Sequence, residues 1–228
     1  MKNSQRILNG LVLTAVIFLI ATLLGSKINL NINFIPTSFG THSIMLLLSI
    51  IAIVYLKKYV NYKIAFPKFN TLLNPIAVGL LVSIIVNPLM TILTRKLGAD
   101  VESHPLFLKM NATQVFFFVF IYASIAEEVL FRGFLMNFLS PLKSTVIPFF
   151  KRKISLPIII SAIAFGLAHL ILFTTGVSWA FLLKVVVFTT ILGLFAGYYQ
   201  EKYNNNIYAI LVHMAGNFTG FIAAIFMH

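Results

Sequence analysis

The chain has no cysteine, five acidic residues and a single tryptophan among its 228 positions. The missing cysteines exclude disulfides, thiolate metal sites and a cysteine nucleophile, so any chemistry must use other side chains. The scarcity of charge excludes more. Charged residues make up 10% of the sequence against an ordinary ~25%, and apolar residues 60% against ~45–50%. With twenty-three phenylalanines and a mean hydropathy of +0.98, the chain lacks the polar side chains to cover a water-soluble globule, whereas lipid accepts apolar surface without penalty. The expected architecture is all-α: a polytopic transmembrane helical bundle forming a single membrane domain over 1–228, embedded in a lipid bilayer.

Seventeen Lys and Arg against five acids leave a net charge of +12. In a soluble domain that balance points to nucleic acid. Here the bases sit in short stretches between apolar runs, which is the placement of the positive-inside rule and leaves no nucleic-acid partner. A membrane helix needs about 20 mostly apolar residues, and seven spans are expected at 7–24, 43–56, 72–93, 115–139, 156–172, 179–200 and 207–227. The first run is longer than the roughly 7–15 residues of a signal-peptide core and counts as a helix. Between the spans, alternate segments carry eleven bases on one side and four on the other. This asymmetry orients the N-terminus toward the cytoplasm in a multi-pass protein of the cell membrane. The loop from Lys143, with Lys151, Arg152 and Lys153, is the one basic enough to touch anionic lipid.

Three of the five acids, Asp100, Glu102 and Glu201, are expected in loops. The other two, Glu127 and Glu128, are adjacent inside the fourth span, four residues before Arg132. Three charges at mid-membrane cost about 8–10 kcal/mol if they face lipid, more than the roughly 4–8 kcal/mol returned by the surrounding apolar side chains. They must face the bundle interior or a wet cavity. Glu128 and Arg132 are spaced to pair along one helix face, while Glu127, about 100° away, is free to point elsewhere. The fifth span ends on His169 and the seventh places His213 and Asn217 on one face. Each imidazole alone reads equally well as a packed residue or a catalytic one; three spans holding most of the deep polar groups make a functional site the stronger reading.

Lys184, one turn into the sixth span, reads as a snorkelling side chain. His42, His104 and His228 read as solvated groups in loops or at the terminus. Asn87-Pro88 marks a kink in the third span, and Trp179, Tyr198 and Tyr199 suit an aromatic belt at span ends. Asn111-Ala-Thr113 matches a glycosylation sequon that is common by chance.

Glutamate, two imidazoles and a carboxamide can hydrolyse a peptide bond. Glu127, with His169, can deprotonate a water, and His213 and Asn217 can donate to the oxyanion that forms. A second scheme ligates Zn²⁺ with His169, His213 and a glutamate and leaves one position open. The sequence alone does not separate the two, although no His-Glu-x-x-His is present. A proton-coupled transporter would use similar groups, but no inverted repeat is visible.

Glu127-Glu128-x-x-x-Arg132, Phe165-x-x-x-His169 and His213-x-x-x-Asn217, in this order and each in its own apolar segment, resemble the three motifs of the CPBP family of CAAX proteases and bacteriocin-processing enzymes. The resemblance covers roughly 115–221, a catalytic core within the membrane domain. It implies an intramembrane endopeptidase, akin to type II CAAX prenyl endopeptidases, acting on a peptide or protein substrate. By that analogy Glu127 and His169 activate water, His213 and Asn217 form the oxyanion site, and Glu128–Arg132 holds the helix. Members are often described as metalloproteases; the glutamate-and-water scheme needs no metal and is the reading adopted, with zinc as the alternative. Eight spans are common in the family where seven are expected here. The small basic chain looks bacterial, which implies bacteriocin self-immunity or peptide maturation before prenyl-protein processing. The alternative is a non-catalytic immunity or scaffold protein of the same family.

Overall fold

The computed structural model describes residues 2–96, 98, 109–149 and 152–227. Asp100, Glu102, His104, Lys151 and His228 lie outside the described residues. Within them, seven helices are long and apolar enough to cross a membrane. They are α1 (Asn3–Gly25), α2 (Ser38–Tyr55), α3 (Leu73–Lys96), α4 (Ala112–Met136), α5 (Leu156–Ala168, continued as a tighter 3₁₀ coil over His169–Thr175), α6 (Trp179–Tyr203) and α7 (Ile207–Met227). The expected helical bundle is observed, and it carries one addition. In the basic loop after α4, β1 (Val146–Phe149) and β2 (Arg152–Ser155) pair antiparallel, with Val146 opposite Ser155.

The buried sides of these helices are lined by small residues. On α1 the inward positions are Gly10, Thr14, Ile17, Ala21 and Gly25, while Leu8, Val12, Leu19 and Leu23 are exposed on the side left for lipid. Association of helices in lipid gains nothing from hiding apolar surface, so close van der Waals approach has to supply it. At the crossing of α1 and α2, a Cβ on Gly25 would strike the backbone of Gly40 and Thr41. Glycine there is a condition of the crossing, and the crossing fixes the residue that follows, His42.

Two helices depart from expectation. α2 begins at Ser38 and not at 43, so His42 lies one turn inside a helix and is buried. α6 runs on to Tyr203, which puts Glu201 and Lys202 in a helix and not a loop. The Glu201 carboxylate accepts a hydrogen bond from Ser155 Oγ at 2.8 Å and ties the end of α6 to the hairpin. Tyr199 is buried, edge-on to Tyr198 and stacked on Tyr203, and so does not stand in an interfacial belt; Trp179 is exposed as the belt requires. Lys184 is half-buried and its Nζ donates to Thr91 Oγ1 on α3 at 3.1 Å, a tether to a neighbouring helix. Asn111 caps the first turn of α4, its side chain accepting from Gln114 N at 2.9 Å.

α4 is the unusual element. Val115–Ala123 and Val129–Met136 are wound as π-helix, with Ser124–Glu128 as a single α-helical stretch between them. Long π runs are rare. Here Asn137 Nδ2 donates to the carbonyls of Arg132 and Gly133 at 3.0 Å each, and Gln200 Nε2 on α6 donates to that of Arg132 at 2.9 Å. Asn206, at the head of α7, takes the Lys63 carbonyl with its N–H, while the Asn205 carboxamide pairs with both backbone groups of Ala65. The 57–68 loop is thereby strapped across the same end of the bundle.

Gly193 on α6 faces the Arg132 guanidinium, and a Cβ there would collide with Arg132 Nη2 and press on Ala162. Gly193→Ala should therefore destabilise the protein by about 1–3 kcal/mol, the usual cost of overpacking. Thermal or denaturant unfolding of the purified protein in detergent reads this directly.

Candidate active site

Two adjacent glutamates on one α-helical turn point in different directions, and their environments differ. The Glu128 side chain is 0% exposed, as is Arg132; the Glu127 side chain is 18% exposed. Glu128 Oε1 accepts from Arg132 Nη1 at 2.8 Å and from His213 Nδ1 at 2.9 Å. Both donors fall on one buried oxygen, while Glu128 Oε2 has no hydrogen-bond partner among the described residues. The guanidinium lies with Cζ 4.5 Å from the centre of the Phe165 ring, and its Nε and Nη2 have no hydrogen-bond partner among the described residues. The ring face supplies part of what those N–H groups lack.

Phe165 is where the site is joined. Its ring meets His169 edge-on with centroids 5.0 Å apart, His213 at 5.3 Å and Phe131 at 5.1 Å, beneath the Arg132 cation. The phenylalanine of the second motif is thus the floor on which α4, α5 and α7 place their polar groups.

Three imidazoles surround Glu127, and the partners of their Nδ1 atoms fix the tautomer of each. A carbonyl or a carboxylate can only accept, so Nδ1–H donates in every case. His42 Nδ1 donates to Ser38 O at 2.8 Å, His169 Nδ1 to Phe165 O at 2.9 Å, and His213 Nδ1 to Glu128 Oε1 at 2.9 Å. Each ring is left with Nε2 as its free atom. His42 Nε2 stands 3.4 Å from Glu127 Oε1 and His213 Nε2 3.8 Å from Oε2. His169, only partly buried at the end of α5, lies within electrostatic reach of both Glu127 and His213.

Asn217 sits one turn beyond His213. One of its amide N–H groups donates to Ser124 Oγ at 3.2 Å, and Ser124 in turn donates to the Phe120 carbonyl. A carboxamide has two N–H donors, so one remains available. Two residues on, across the helix, Thr219 hydrogen-bonds Ser83 on α3, with Asn87 Nδ2 3.3 Å from Ser83 Oγ just before Pro88. This seam sets the depth of α7 against α3.

Of the residues singled out in the sequence, Glu127, Glu128, Arg132, His169 and His213 converge in one place, and Asn217 borders it. The residue missed is His42. The signal was present in Pro36-Thr37-Ser38: a helix start read there, and not at the first apolar run, would have placed His42 on its inner face. The nitrogen and oxygen donors here are those that zinc accepts. Among the described residues, however, no three of His, Asp and Glu are assembled as a metal-ligand set, and no step below is routed through a metal.

Beside the site runs an apolar groove of about 380 Å³ between α1, α4 and α5, lined by Leu11, Phe18, Phe131, Leu167 and Ala168 among others. Of the lining residues, Phe131 packs on the Phe165 ring at 5.1 Å, so the groove abuts the floor of the polar site.

Residues 109–219 match the family model described as type II CAAX prenyl endopeptidase Rce1-like, a description in line with the motifs carried by this stretch. No curated protein and no solved structure matches the chain.

Removing Arg132 alone strands a buried carboxylate, which costs about 3–5 kcal/mol. Arg132→Met should therefore destabilise by that amount, and Glu128→Gln in the same chain should recover part of the loss. Unfolding of the single and double variants in detergent measures both.

Proposed function

We propose that the protein is an intramembrane endopeptidase in which Glu127 activates a water molecule against a peptide carbonyl. The observation that carries this reading is the contrast between the two glutamates. Glu128 is sealed from solvent with Oε1 committed to Arg132 and His213, while its neighbour is partly open and faced by imidazole Nε2 atoms.

A water between Glu127 and the scissile carbonyl gives its proton to the carboxylate as its oxygen bonds to the carbonyl carbon; proton transfer by such a positioned base contributes typically 10²–10⁴-fold. His169 presents Nε2 to the same water. His213 has its ring plane fixed by the Nδ1–H bond to Glu128 Oε1, and when protonated it donates to the oxyanion through Nε2–H. The free N–H of Asn217 is the second donor. One good donor of this kind contributes about 3–4 kcal/mol in the transition state. Collapse of the intermediate breaks the C–N bond, and Glu127 returns its proton to the departing amine. Arg132 does not touch substrate in this scheme and keeps Glu128, and through it His213, in place.

The neighbouring groove fits an apolar part of the substrate, so the cleaved peptide is one carrying a lipid-like or strongly hydrophobic segment. CAAX-like processing, peptide maturation and bacteriocin self-immunity all supply such substrates. Among these, a bacterial cell-membrane role in peptide maturation or immunity suits the small basic chain.

Purified protein in detergent, offered a pool of hydrophobic peptides, should lose cleavage by at least about 100-fold on Glu127→Ala, His169→Ala or His213→Ala. Unchanged turnover in all three overturns the reading. If a folded Glu127→Gln variant still protects cells from a bacteriocin, the non-catalytic immunity role replaces it. The orientation has its own test, eased by the absence of native cysteine. A membrane-impermeant maleimide should label Ser26→Cys in intact cells, and Ser144→Cys only after lysis.

A further inference from the structure

His42 comes from a helix that carries none of the three motifs, yet its ring is buried against α4. Its Nδ1–H is committed to the Ser38 carbonyl, a bond within its own helical turn that fixes the ring plane. Only Nε2 is left to face Glu127 Oε1 at 3.4 Å. In a neutral ring of this tautomer Nε2 is a lone pair, and a lone pair opposite a carboxylate oxygen at that separation is repelled. The approach is favourable only with a proton between the two atoms, held on the imidazole as an ion pair or on the carboxyl as a donor.

The surroundings keep the two groups together. On α2, Ser43 hydrogen-bonds the Tyr122 hydroxyl of α4 at 2.9 Å, and Phe39 stacks on the Tyr122 ring at 5.2 Å, so α2 is pinned to α4 on either side of His42. The other charged or titratable groups facing the pair are His213 from α7, His169 from α5, and the Glu128–Arg132 pair of α4 itself. Of these, Arg132 Nη1 is bonded to Glu128 Oε1, and His213 Nε2 faces Oε2 of Glu127.

We propose that His42 is a positioning residue that shares one proton with Glu127, holding Oε1 so that Oε2 alone meets the water. The proposal rests on the water-activating reading of Glu127. At rest the His42–Glu127 pair carries one proton. As water is cleaved, its oxygen bonds to the carbonyl carbon and its proton goes to Oε2, while the proton already present resides on His42 Nε2. The pair then carries two protons. When the C–N bond breaks, Oε2 gives one proton to the amine nitrogen and the pair returns to its resting state, with no net gain or loss. The base is accordingly the pair, and its titration belongs to both members.

Two measurements on the full-length protein in detergent test this. In infrared spectra of protein labelled with ¹³C-glutamate, the band lost on Glu127→Gln identifies the Glu127 carboxyl. Its titration midpoint should move by about one pH unit or more in both His42→Ala and His42→Gln. Gln keeps a donor near the Nε2 position and guards against a folding defect. In peptide cleavage, both variants should lower kcat about tenfold or more with KM within about twofold, and should change the shape of the pH–rate profile. Added imidazole should restore part of the activity of His42→Ala. An unmoved infrared midpoint, or a drop in kcat with the wild-type pH profile and no imidazole rescue, overturns the proposal and leaves His42 a packing residue. If the wild-type chain cleaves nothing, the endopeptidase reading fails, and the infrared titration still decides whether the proton is shared.

Discussion

A buried carboxylate oxygen that accepts from two side chains at once is the constraint on which the arrangement depends. Glu128 Oε1 takes hydrogen bonds from Arg132 on its own helix and from His213 on α7. The first bond orients the guanidinium over Phe165, and the second fixes the tautomer and plane of the imidazole. Without the carboxylate, an arginine in an apolar bundle is uncompensated and the His213 ring loses the partner of its Nδ1–H. A buried ion pair is weak evidence for stability, since well-packed apolar residues often serve as well. Its value here lies in register: it specifies which face of α4 meets α7, and so where Glu127 points.

Packing around that pair is correspondingly tight. Gly193 gives the guanidinium its room, the edges of Phe165 meet two imidazoles, and Asn137 and Gln200 satisfy the carbonyl of Arg132 itself. These contacts come from α5, from two positions of α6, from α7 and from the end of α4 itself. With His42 from α2, the site is thus the product of five helices meeting, with α4 as the shared member.

Much of this was legible in the sequence, for physical reasons that differ by residue. The seven spans follow from apolar run length alone, because no other structure satisfies so many backbone groups in lipid. The Glu128–Arg132 pair follows from spacing and from the cost of leaving either charge unmatched. His169, His213 and Asn217 stood out because polar groups are scarce at membrane depth. His42 was hidden for the opposite reason. It precedes the apolar run of its span and so resembled a solvated flank, and the glycine crossing of α1 and α2 is what buries its turn. The two π-helical stretches were not legible either, since nothing in a run of Phe and Val distinguishes one helical bonding pattern from another. Tyr199 and Glu201 were misplaced because α6 continues past the apolar stretch by which its end was judged.

The π winding of α4 bears on the fit between protein and bilayer. Bonding from i to i+5 fits more residues into each turn than the ordinary helix does. The stretch Ala112–Met136 has 25 residues, which as regular α-helix would run about 37 Å against a hydrocarbon core of roughly 30 Å. Wound as it is, the segment is more compact along its axis and can match the membrane's thickness with less tilt. The two glutamates ride on the one regular turn between the compressed halves, so the depth of the carboxylates is set from both ends by local winding and not by the inclination of a long rigid rod.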